Sequence, residues 1–96
     1  MLITIYNYHI DQILPEILPS ISETLMEMPV NIELTIRNNS DIMKIMTAII
    51  STAFLQHNEE IKRNIEYTDA FENILNKLIS WEVPTAAVVL DEFRLH

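Results

Sequence analysis

No glycine occurs anywhere in the 96 residues of this chain. Average usage is about 7%, so the absence removes whole classes of local structure. Two-residue hairpins of the Asn-Gly or Gly-X kind need a residue that enters positive φ at little cost, and they are excluded. Phosphate-cradling loops of the Walker or dinucleotide type need glycine for close backbone approach. The strained Gly-x-Ser-x-Gly nucleophile elbow is excluded as well. Helices must end on asparagine or run into proline instead of closing on a left-handed glycine. Nucleotide-dependent enzymes and common hydrolases therefore fall away first.

A chain of this length makes a single domain, residues 1–96, with apolar residues at 49% and a mean hydropathy of +0.15, ample for a core. Cysteine is absent, so neither a disulfide framework nor a thiolate site is available. No basic segment opens the chain, since the first Lys or Arg is Arg37. A secretory leader is not expected, and a cytoplasmic location is. The longest apolar stretch, residues 42–55, is interrupted by Lys44 and falls short of the ~20 residues a membrane span needs, so no membrane is expected.

Charge is unevenly spread. The chain carries 14 acids against 6 bases, a formal charge of −8. Asp11, Glu16, Glu23, Glu27 and Glu33 fall in residues 1–36, which hold no base. Direct binding to nucleic acid needs the opposite sign, because phosphate neutralisation supplies most of the affinity.

Three segments predict strands. Residues 2–10, LITIYNYHI, are rich in β-branched and aromatic residues. Residues 30–37, VNIELTIR, alternate Val30, Ile32, Leu34 and Ile36 against Asn31, Glu33, Thr35 and Arg37 without a break. Residues 85–90, TAAVVL, form a continuous apolar run suited to a strand buried on both faces.

Between the strands the period changes. Apolar residues at Ile10, Leu14, Ile17, Leu18, Ile21, Leu25 and Met28 predict a helix over 11–28, with Pro19 as a kink or restart and Pro29 as its stop. Asn38, Asn39 and Ser40 form a loop with a cap for a long helix from 41. That helix is apolar almost all round, with Lys44, Thr47, Ser51 and Asn58 as a narrow polar stripe. A break near 57–60 or 67–69 is open. Phe71, Ile74, Leu75, Leu78 and Ile79 give residues 69–80 an ordinary amphipathic stripe. The order β-α-β-α-α-β predicts an α+β fold: a three-stranded sheet packed on two to three helices, with the long apolar helix at its centre.

Chemistry is sparse. His9, His57 and His96 fall in three different elements, and neither His57 with Glu60 nor Asp91, Glu92 and His96 show the converging ligands a metal needs. Neither a metal nor a cofactor is expected. Glu59 stands three and four residues before Lys62 and Arg63, ordinary helix-surface pairing rather than a catalytic dyad. No catalytic residue is nominated, and the chain is not expected to be an enzyme.

Two features point to partners. Glu16, Glu23 and Glu27 share one helical face, and with Glu33 they form a candidate docking surface for a basic protein. The leading expectation is a non-enzymatic binding module, an acidic inhibitor that occupies the basic surface of a nucleic-acid-processing protein or toxin. Met43, Met46, Ile50, Ala53 and Phe54 on the long helix are the candidate interface of a homodimer, which would make the chain an oligomerising subunit of a larger assembly. A small ligand-binding domain or enzyme is the third expectation, and its sign is a deep pocket with converging His and carboxylate groups.

Overall fold

The computed structural model describes the backbone of residues 2–95 and the side chains of residues 13–95. The regular elements among them are all helical: α1 (Leu2–Met26), α2 (Val30–Arg37), α3 (Ser40–Arg63), α4 (Ile65–Ser80) and α5 (Pro84–Leu95). No strand occurs among the described residues, so the expected α+β fold with its three-stranded sheet is overturned.

Each misread segment has its own reason. In residues 85–90 the apolar run is the first part of a longer period. Ala86, Val89, Leu90 and Phe93 follow at helical spacing and are all buried, and Pro84 stands in the first turn, where its ring pre-sets φ. Residues 30–37 alternate cleanly, yet α2 buries none of its residues, so the alternation has no inner face to serve. Its charges suit a helix: Glu33 lies in the first turn and Arg37 in the last, each matched to the helix dipole. With 85–90 helical as well, no neighbouring strand is available, and β-propensity without a partner decides little. Residues 2–10 continue the helical backbone of α1; the side chains of Tyr6, Tyr8 and His9 lie outside the described residues.

α1 runs as one helix through both Pro15 and Pro19. Each proline lacks the N–H of an i→i−4 bond, at a cost of about 3 kcal/mol in an isolated helix. Tertiary burial offsets it here: the Pro15 ring is fully buried beside Leu14 and Leu18. Ser20 is mid-helix, so it does not begin a new one, and its carbonyl accepts from the Thr24 hydroxyl at 2.9 Å.

The core centres on α4. It packs against α1, α3 and α5 and buries Ala70, Phe71, Ile74, Leu75 and Leu78. Phe71 meets Phe93 of α5 edge to face, with ring centroids 5.0 Å apart at 80°. The long helix α3 touches every other helix but is enclosed by none. Of its 24 residues only Ile50, Ala53 and Ile61 are buried. It bends at His57, whose φ of −128° and ψ of 16° leave the helical region, and it ends at Asn64; residues 67–69 are continuous helix within α4. The radius of gyration, 13.3 Å, is close to the ~12–13 Å of a packed domain this long.

Asparagine caps two helix N-termini, and glutamate takes glycine's usual place after α4. Asn39 caps α3, its Oδ1 accepting from the Asp41 and Ile42 amides at 3.0 and 3.1 Å. Asn64 caps α4 in the same way, accepting from Glu66 and Tyr67 at 2.9 and 3.4 Å. After α4 the Val83 amide donates back to Leu78 and the Glu82 amide to Ile79, a Schellman closure. That closure puts Glu82 at φ 64°, the left-handed position glycine normally takes.

Candidate functional site

The acidic row is a physical feature of α1. Residues 16, 23 and 27 recur at i, i+7 and i+11, so they return to one side of a 3.6-residue helix. All three are exposed, and the Glu27 amide still bonds to the Glu23 carbonyl at 3.0 Å, which keeps the row in register past the end of α1. Among the described residues none of the three takes part in an ion pair.

Glu33, the fourth acid proposed with them, is placed elsewhere and is engaged. It sits half-buried on α2, where Oε1 accepts the indole N–H of Trp81 at 2.6 Å and lies 3.4 Å from Lys77 Nζ. The bond from Trp81 is the largest cause holding the Glu33 carboxyl below its ordinary pKa. Burial pushes the other way, and the charges of Lys77 and Arg37 add to the lowering. This contact ties α2 to the end of α4; among the helices α2 otherwise packs only on α3.

Trp81 is the residue that sequence reasoning passed over. It is the chain's only tryptophan and is buried. A lone tryptophan pairs a large apolar face with a donor that needs an acceptor when buried, and that was its available signal. The indole stands between two hollows. On one side an open groove of about 300 Å³ is lined by Ile21, Leu25 and Met28 of α1, Ile36 of α2, and Ile42 and Met46 of α3, with Ser20 and Thr24 at its lip. On the other side a hollow of about 430 Å³ has mixed walls, with Arg37, Lys44, Thr47, Glu82 and Thr85 among Met43, Val83 and Pro84.

The acidic row and the apolar groove share α1 but occupy different sides of it. Counting 100° per residue along α1, the groove residues Met28, Ile21 and Leu25 lie about a third to a half of a turn from the centre of the row, with Ser20 and Thr24 between them and Glu27 the acid on the groove's side. Sequence reasoning found the row but not the groove, because the groove needs α2 and α3 beside α1.

The five residues proposed for a dimer interface divide. Ile50 and Ala53 are fully buried inside the single chain, and Met43, Met46 and Phe54 are half-buried against its core. What α3 exposes is a different row: Ile45, Ala48 and Leu55. The remaining charged groups are ordinary. Arg63 pairs with Glu59 at 3.6 Å on the open surface, Lys62 lies over the Phe93 ring at 5.0 Å, and His57 Nδ1 is 4.0 Å from Glu60.

Among the described residues no three His, Asp or Glu side chains gather where a metal could be held, and no helix is long and apolar enough to cross a membrane. His96 lies outside the described residues. Compared with protein-family models, with curated proteins and with solved structures, the chain matches none.

Proposed function

We propose that this chain is a non-enzymatic binding module for a basic protein partner, an inhibitor of the kind that covers the cationic surface of a nucleic-acid-processing protein or toxin. One observation carries the reading: Glu16, Glu23 and Glu27 form an exposed row, unpaired among the described residues, on a third of the chain without a single Lys or Arg. Such a row raises the encounter rate with a cationic surface and fixes its orientation. In this reading the chain acts in the cytoplasm, where basic nucleic-acid-processing proteins are the natural class of target.

The test compares the parent chain with E16K/E23K/E27K. A protein captured from host extract and eluted by salt is identified, and its affinity for both chains is then measured over a range of salt. The expected result is a loss of about tenfold or more for the variant, with a flatter salt dependence. Equal affinities would reduce the row to a solubility device.

A second reading has its own observation. Ile45 and Leu55 are 58% and 76% exposed on one side of α3, an apolar row suited to a second copy or to a larger assembly. Light scattering at micromolar concentration decides it, since a monomer removes the homodimer.

A further inference from the structure

The acidic row gives a partner its charge but not its shape; the groove beside it supplies that. The groove's lining surface is almost wholly apolar, with Trp81 part of it and Ser20 and Thr24 its only polar residues. At about 300 Å³ it stands at the small end of the roughly 300–1,000 Å³ of enclosed ligand sites, and it opens to the surface along one side. An open apolar channel suits a segment laid across it better than a molecule enclosed by it. β-Strand addition needs a free sheet edge, and no strand occurs among the described residues. Met28 and Met46 give the walls adaptable side chains, as helix-accepting grooves use.

The charges about the groove are lopsided. On the α1 side lie Glu16, Glu23 and Glu27. On the α2 side the nearest acid, Glu33, is already bound to Trp81 and Lys77. An occupant therefore meets unpaired acids on the α1 side, joined on α3 by the exposed Asp41 next to Ile42, and none on the α2 side.

We propose that the groove between α1, α2 and α3 seats an amphipathic helix of the partner, its apolar residues at i, i+3, i+4 and i+7 against Trp81, Ile36 and Met46 and its Lys or Arg residues on the flank toward Glu27, the acid of the row on the groove's side of α1. The proposal rests on the basic-partner reading above and adds to it a secondary structure and an orientation.

The probe is a synthetic helix of about 15 residues without tryptophan, carrying Leu at those four positions and Lys along one flank. Two controls accompany it: one of the same composition with its Leu order scrambled, and one with Glu in place of Lys. Trp81, the chain's only tryptophan, reports occupancy by its emission. T24F fills the groove from an exposed position on its lip, and I36Q removes an apolar wall; circular dichroism checks that both stay helical. The expected result is a saturable emission change with the ordered Lys peptide. Scrambling, T24F and I36Q should each weaken it about tenfold.

Equal binding of ordered and scrambled peptides, or no effect of T24F, overturns the groove. If E16K/E23K/E27K still abolishes binding in that case, the basic-partner reading survives it. The reverse pattern, with the groove variants effective and the Glu peptide as good as the Lys peptide, removes the charged flank and the basic-partner reading with it. No emission change with any peptide, or a dimer of this chain that T24F dissociates, also overturns the proposal, the latter by naming a second copy as the occupant.

Discussion

Helices α3 and α4 invert what their sequences advertise. α3 carries the most apolar stretch in the chain, residues 42–55, yet it buries three of its 24 residues. α4 has a modest stripe, yet it buries five of 16 and anchors α1, α3 and α5. The quantity of apolar surface does not decide burial; its arrangement does. In α4 the apolar residues fall within one arc, so three neighbours can close over it. In α3 they go round the helix, and a chain of this size cannot cover every side. The uncovered part becomes the groove wall at Ile42 and Met46 and the open row at Ile45 and Leu55.

The strongest way to break this comparison is to truncate one large side chain on each helix. Phe71→Ala in α4 removes a fully buried ring and its contact with Phe93, and should cost about 3–5 kcal/mol in a denaturant titration. Leu55→Ala in α3, at 76% exposure, should stay within about 0.5 kcal/mol. Similar losses at both would mean that α3 is covered in solution.

Next come the caps, which are chemically alike on the two helices. Asn64→Ala should cost about 1–2 kcal/mol and Asn39→Ala about 0.5–1, because Asn64 joins α3 to α4 whereas Asn39 opens only the outer half of α3. Glu82→Gly works in the other direction. It relieves a left-handed non-glycine residue at the end of α4 and should stabilise by about 0.5–1 kcal/mol.

The smallest effect belongs to the contact between α2 and Trp81. Glu33 has a lowered pKa in the folded chain, so its contribution is complete above the ordinary glutamate value and is lost as pH falls through the lower, folded one. Trp81 emission should therefore change in acid below the ordinary carboxylate range while the helical circular dichroism holds, and Glu33→Gln should remove that transition. A transition that persists in the variant belongs to another group.

How much of this was legible in the sequence follows from the same physics. The α4 stripe, the cap before α3 and the acidic row were readable because each is a local pattern repeated at helical spacing. The architecture was not. VNIELTIR alternates as a strand does, and only the absence of a sheet to receive it makes it a helix with nothing buried. TAAVVL was cut one turn short of Phe93, the residue that completes its helical period. Trp81 and Glu33 are 48 residues apart, and nothing in the order of residues predicts that they meet.

The central claim is that a tightly held core around α4 carries a lightly held wall, α2 with the outer half of α3, the wall proposed above to receive a partner helix. Native-state hydrogen exchange tests it residue by residue. The amides of Ile74, Leu75 and Leu78 should exchange only through global unfolding. Those of Leu34 and Ile36 should exchange orders of magnitude faster, through local opening that leaves α4 protected. Protection in α2 equal to that in α4 would contradict the account.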